Sequence, residues 1–190
     1  MSVLSKRGGL RVLLFSGHMI DAPGRTNARF PAALEKRAVC AIASALDKLA
    51  ACSDDTAIAS AACGGDILFG EAVLERGVAL TVHLPFVESE FVRDSVAFAG
   101  ARWVERYRHI VTRSTLLTAP QELGPLSEGA DPYERVNLWM LDAAQRSGRR
   151  MTFICLWNGE GGDGAGGTKH MRDAVAAAGG DVCWIDTRTL

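Results

Sequence analysis

The sequence predicts an α/β fold: one doubly wound, mostly parallel sheet of five or six strands with helices on both faces. Three observations predict it. Short apolar runs alternate with longer segments of helical periodicity from about residue 10 to residue 185, the pattern of strand–helix–strand units. Those runs are near-continuously apolar, as strands covered on both faces must be. Three of them end in turns bearing glycine or serine, where a helix is about to start.

The first strand, residues 10–15, stops at Ser16-Gly17-His18 and enters a loop containing Pro23-Gly24-Arg25. Pro31 suits the first turn of a helix, where its missing N–H costs nothing. Ala38, Ile42, Ala45, Leu46 and Leu49 carry helical spacing to about residue 51. A turn at 53–55 leads into a second strand at 56–60, which ends in Ala61-Ala62-Cys63-Gly64-Gly65-Asp66. A helix over 67–76 follows, closed by Gly77 as a C-terminal cap. A third strand at 78–84 is stopped by Pro85, and two short helices over 88–98 and 101–108 are parted by Gly100. A fourth strand is expected at 110–117, weakened by Arg113-Ser114, then a long loop at 119–132. Loops of that length are more often functional than incidental. A helix over 133–146 turns Val136, Trp139, Met140, Ala143 and Ala144 inward. The run Met151 to Trp157 reads as a buried strand, a glycine-rich loop spans 158–168, a helix starts near Lys169, and 182–185 is a last strand.

The length suits a single domain, 1–190, able to bury a proper core. Hydrophobic residues at 48% and charged residues at 23% are ordinary for a globular chain. A net charge of −1 excludes a broad basic surface, so nucleic acid and anionic membranes are not the expected partners. No apolar run approaches the roughly 20 residues that cross a bilayer, and no signal-peptide pattern follows the N-terminus. A cytoplasmic protein is expected. The five cysteines include no CxxC pair, which argues against a disulfide framework or zinc knuckle. Cys40, Cys155 and Cys183 read as small core residues, and Cys63 as packing with a catalytic thiol as the alternative. No cofactor and no metal is expected; Glu160 and Asp163 have no partner spacing for an ion.

The chemistry is expected at the three turns. In an open parallel sheet, ligands bind outside the carboxyl ends of the strands, near the point where strand order reverses. The loop after Trp157 holds six glycines, including Gly159, Gly166 and Gly167, more than a chain reversal needs. Between a strand and a helix N-terminus, free amides and the helix dipole favour an anion such as phosphate; a flexible surface loop is the other reading. Thr168 caps the helix or gives its hydroxyl to the anion. Neither GxGxxG nor GxxxxGK[ST] occurs, so the usual dinucleotide fingerprint and the Walker loop are absent. His18 is a phosphate contact or acid–base group, against a solvent-facing turn residue. Arg25 offers a bidentate fork to phosphate, against a solvated loop cation. Asp66 holds a ribose hydroxyl or, more simply, caps its helix. Of Arg135 and Asn137, one faces the cleft and one faces out. Trp157 stacks on a base or belongs to the core, while Trp103, Trp139 and Trp184 are assigned to packing.

The motifs resemble the SLOG superfamily, which joins the Smf/DprA DNA-processing proteins, the lonely-guy phosphoribohydrolases and related nucleotide sensors. The resemblance is carried by Ser16-Gly17-His18, Ser60 through Asp66 with Glu71-Ala72 and Gly77, Leu84-Pro85, the Tyr133–Leu141 segment, and Trp157-Asn158-Gly159 through Thr168. It covers about residues 10–185. It implies a Rossmann-like fold that binds a nucleotide or nucleotide-derived signalling ligand, with phosphate at Gly17 and Gly166-Gly167-Thr168 and with Gly64, Gly65 and Asp66 nearby. A homodimer is implied as well. The lonely-guy motif places a glutamate where this chain has Met171. Methionine cannot act as a base, so N-glycoside cleavage would fall to Glu134, Glu71 or His18. Three readings follow: a nucleotide sensor, a phosphoribohydrolase-like enzyme, or a partner-binding module with a vestigial pocket.

Overall fold

A computed structural model describes residues 10–160 and 167–190. It shows a Rossmann-like α/β fold, a six-stranded sheet in the order β4-β3-β2-β1-β5-β6. Every strand pair is parallel. β1 (Arg11–Gly17) lies between β2 (Thr56–Ala59) and β5 (Arg150–Trp157). β3 (Ala79–Leu84) and β4 (Thr115–Thr118) extend one side, and β6 (Asp181–Asp186) extends the other. The chain therefore winds outward from β1 to β4, then returns across β1 to lay down β5. Strand order reverses between β1 and β5, which opens a crevice at their carboxyl ends.

The apolar runs work because alternate residues serve opposite faces. From β1, Leu13 and Phe15 enter one core while Val12 and Leu14 enter the other. The first core is covered by α1 (Glu35–Lys48), α2 (Gly65–Glu75), α3 (Glu88–Ser95) and α4 (Ala101–Val111). The second is covered by α6 (Pro132–Arg146) and α7 (Thr168–Ala177). Helix α2 is buried almost all round, as expected of a helix apolar on every side. Phe69 of α2 stacks on Phe15 of β1 at 4.5 Å between ring centroids, which locks the start of that helix over the central strand.

Several expectations need correction. Ile110 and Val111 belong to α4, not to a strand. Trp103, Tyr107 and Ile110 recur every three or four residues and form the helix's buried stripe, so only Thr115–Thr118 remains for β4. The long loop begins with a short helix, α5 (Ala119–Leu123), with Pro120 in its first turn. A 3₁₀ turn, Ala32–Leu34, precedes α1. Cys40 is exposed rather than core, because the buried stripe of α1 is Ala38, Ile42, Ala45 and Leu46. Trp184 is 44% exposed, although its Nε1 donates to the Trp157 carbonyl at 2.8 Å. Among the described residues, no helix is long and apolar enough to cross a membrane.

Candidate functional site

A cleft of ≈ 380 Å³ sits where β1, β5, α2, α6 and α7 meet, at the strand-order reversal. That volume lies in the range of small-molecule sites. Three helix N-termini reach it: α6 is capped by Asp131, whose Oδ1 accepts from Glu134 N at 2.8 Å, while α2 and α7 are built in opposite ways.

At α7, Gly167 is the N-cap and contributes no side-chain cap bond. The amides of Thr168, Lys169 and His170 donate to no described residue, and the first turn carries no acidic side chain. Thr168 is thus the first residue of the helix rather than its cap, and its hydroxyl lies 3.3 Å from Ser16 Oγ. Ser16, Gly167 and Thr168 all line the cleft. Amides without a partner among the described residues, a positive helix end and two hydroxyls make a candidate site for an anion.

At α2, the protein serves its own amides. Gly65 N donates to His18 O at 3.0 Å, and Ile67 N donates to Ala62 O at 3.3 Å. Asp66 does not cap the helix; Gly64 is the N-cap and Asp66 stands in the first turn. Its Oδ2 accepts from Ala62 N at 3.3 Å, while Oδ1 is buried without a partner among the described residues. Asp66 is only 8% exposed, yet it lines the cleft. Burial pushes its carboxyl up to about 7, against the pull of the Ala62 and Gly17 amides.

The glycines of this turn make room for backbone more than for ligand. Gly64 has φ +106° and pairs with Met19 in an isolated bridge; a Cβ there would sit 2.5 Å from Ile20 N. A Cβ on Gly65 would lie 3.2 Å from Gly17 Cα. Neither lines the cleft, whereas Gly17 does.

His18 is buried, not solvent-facing, and lines the cleft beside Gly17. Burial lowers its pKa, so the ring is neutral at pH 7. Its Nε2 lies 3.0 Å from Asn158 Oδ1 and 3.2 Å from the Asn158 amide. Asn158 is buried outside the cleft lining and holds Glu160 through Oδ1 at 3.1 Å. Trp157 is 2% exposed, with Nε1 donating to Glu160 O at 2.7 Å and Arg172 over its ring at 5.1 Å. It is a core residue whose edge reaches the cleft. Gly159, at φ +81°, packs under Trp184 and Arg188 instead.

Asn137 and Ser60 line the cleft, with Ser60 Oγ donating to His83 O at 3.0 Å. Arg135 points its guanidinium at the Leu123 and Gly124 carbonyls, at 2.7 and 3.0 Å, and pins α6 to the end of α5. Arg25 is on the exposed loop, donating to Asn27 O at 2.9 Å and lying 3.5 Å from Asp21 Oδ1. Neither arginine lines the cleft. Glu71 is engaged by Arg106 at 2.5 Å, and Glu134 lies 3.6 Å from His170 Nδ1; both are outside the lining. Gly166 lies outside the described residues. Met171 is 2% exposed and packs in the second core. Burial pushes the Cys63 thiol up to about 12, which leaves it a packing residue.

Sequence reasoning missed Arg29, Ser95, Asp131 and Tyr133, all of which line the cleft. Ser95 is 1% exposed, and its Oγ lies 3.2 Å from the Tyr133 hydroxyl. No spacing in the sequence joins these two, since α3 and α6 meet only in three dimensions. Among the described residues, no group of three or more His, Cys, Asp or Glu is placed to hold a metal.

No protein-family model matches the chain, and no curated protein does. Among solved structures, the chain is similar to DNA processing protein A (DprA) from Streptococcus pneumoniae, with 12% identity and a TM-score of 0.40. The likeness covers 91% of this chain and 58% of that one, so the chain spans under two thirds of that protein's length. DprA belongs to the Smf/DprA branch named above. A likeness of this size says nothing about ligand or activity; the fold assignment stands on the sheet order itself.

Proposed function

We propose that the cleft binds a nucleotide or nucleotide-derived signalling ligand, with its phosphate at the N-terminus of α7. One observation carries the reading. At the strand-order reversal, Ser16 and Thr168, with their hydroxyls 3.3 Å apart, line one small-molecule cleft, and the amides that open α7 behind them donate to no described residue. Gly17 lines the β1 end of the cleft, and Asn137 and the Trp157 edge offer a polar and an aromatic surface for the rest. A net charge of −1 favours a small ligand over a nucleic-acid strand.

Binding is preferred over cleavage because the two glutamates that would replace the lonely-guy acid lie outside the lining and Met171 is packed in the core. His18, the third candidate, does line the cleft, with its Nε2 engaged by Asn158. A thermal-shift panel of AMP, NAD, ADP-ribose and cyclic nucleotides tests the reading. At 100-fold excess over the dissociation constant, the cognate ligand stabilises the fold by about 2.7 kcal/mol. A silent panel would defeat it. Release of free base from AMP would replace it with a hydrolase.

A further inference from the structure

We infer that Asp66 recognises a sugar hydroxyl, so that the ligand of this cleft is a ribosyl rather than a deoxyribosyl phosphate. The inference rests on the nucleotide reading and adds the sugar to it.

The starting point is an orphaned oxygen. Asp66 Oδ1 is buried, makes no hydrogen bond of normal geometry among the described residues although the Gly17 amide also pulls on this carboxyl, and belongs to a side chain that lines the cleft. Leaving such an atom unpaired costs free energy unless something in the cleft bonds it. Three classes of group could do so, and the surroundings choose among them. A phosphate is disfavoured beside an ionised carboxylate, and the α7 end offers it amides that no described residue engages. A metal ion is disfavoured too: Asp66 stands in the first turn of α2, where the helix end is positive, and no multi-residue metal cluster occurs among the described residues.

A hydroxyl fits. It donates to a carboxylate and accepts from a carboxylic acid, so it bonds Oδ1 in either protonation state. With Asp66 titrating near neutrality, that versatility matters. Neutral groups lie next to it, although the charged Arg29 and Asp131 line the same cleft. The Ala62 amide bonds Oδ2, the Cys63 amide bonds Ser95 O at 2.9 Å, and Ser95 reaches Tyr133. The cleft thus has a charge-accepting end at α7 and a hydroxyl-accepting end at α2. Gly17 lies between them, lining the cleft and 3.2 Å from where a Gly65 Cβ would be. Phosphate and sugar are adjacent in a nucleotide in the same way.

The test uses calorimetry with AMP, 2′-deoxy-AMP and 3′-deoxy-AMP on the full chain. A site built around a hydroxyl rejects analogues lacking it, so at least one deoxy analogue binds 10-fold or more weakly than AMP, by order of magnitude. In Asp66→Ala, which removes both carboxyl oxygens, that gap falls below about threefold while AMP itself still binds. Asp66→Leu carries the same expectation should the first variant not fold. Equal affinities for all three on the unmodified chain overturn the inference and leave the phosphate site standing. A gap that persists in Asp66→Ala overturns it by assigning the hydroxyl to another residue. No binding by any of the three overturns it also, and a silent nucleotide panel would take the broader reading with it.

Discussion

Helices α2 and α7 both aim their N-termini at the same cleft, and they dispose of their amides in opposite ways. Helix α2 is closed by its own chain: His18 O and Ala62 O accept from its first amides, and Asp66 supplies a carboxyl in its first turn. Helix α7 leaves Thr168, Lys169 and His170 without described partners and has no acid in its first turn. Both termini follow a glycine-bearing turn, Gly64-Gly65 in one case and Gly167 in the other. The same residue type therefore serves two ends. At α2 the glycines let backbone pack on backbone; at α7 no described residue accepts from the first amides of the helix. A glycine-rich turn before a helix is not in itself a ligand site, because what matters is whether the protein has already filled the space.

Three substitutions probe that difference. The largest effect is expected from Gly64→Ala. Its φ of +106° disfavours any side chain, and the new Cβ would meet Ile20 N at 2.5 Å. Backbone strain and overpacking together predict a loss of about 3 kcal/mol in urea unfolding. A loss below about 1 kcal/mol would show that the Met19–Gly64 bridge yields easily.

The second is the pH dependence of Asp66. Folding raises its carboxyl from 3.8 to about 7, so the folded state holds the proton more tightly. The group's stabilising contribution is full below about pH 4 and disappears as pH rises through 7. The ionised form costs on the order of 2 kcal/mol or more in the fold. Asp66→Asn is expected to match the unmodified chain near pH 4 and to exceed it in stability at pH 8. Parallel stability curves for the two from pH 4 to pH 8 would remove the buried-carboxyl account.

The smallest effect turns α7 into a copy of α2. Thr168→Glu places a carboxylate at the open helix end. A first-turn glutamate favours a helix by about 0.3–1 kcal/mol, so the melting temperature should hold or rise slightly. Nucleotide affinity, read by calorimetry, should fall roughly 10- to 100-fold because the anion is now repelled. Unchanged affinity would put the phosphate somewhere else.

Much of the fold was readable from residue order. The strands at Met151–Trp157 and Leu10–Phe15 were visible because they are short, apolar and followed by turns. β4 was misplaced because Ile110 and Val111 look strand-like alone, and only the Trp103–Tyr107–Ile110 stripe against the core shows a helix. Among the site residues, Ser16, Gly17, His18 and Thr168 were found because strand ends in a parallel sheet must meet. Arg25, Arg135 and Glu71 were not separable from true lining residues by sequence, since each has a nearer partner that only folding supplies. Ser95 gave no signal, as its hydroxyl matters only once α6 brings Tyr133 to it.

The sequence by itself determined the parallel sheet and the edge at which ligands gather, because apolar runs of strand length and punctuating turns are local features. Which turn stays open was decided by tertiary structure. Whether an amide is free depends on which carbonyl lies opposite it. For Gly65 that carbonyl belongs to His18, 47 residues earlier in the numbering; for Thr168 no described residue takes that place.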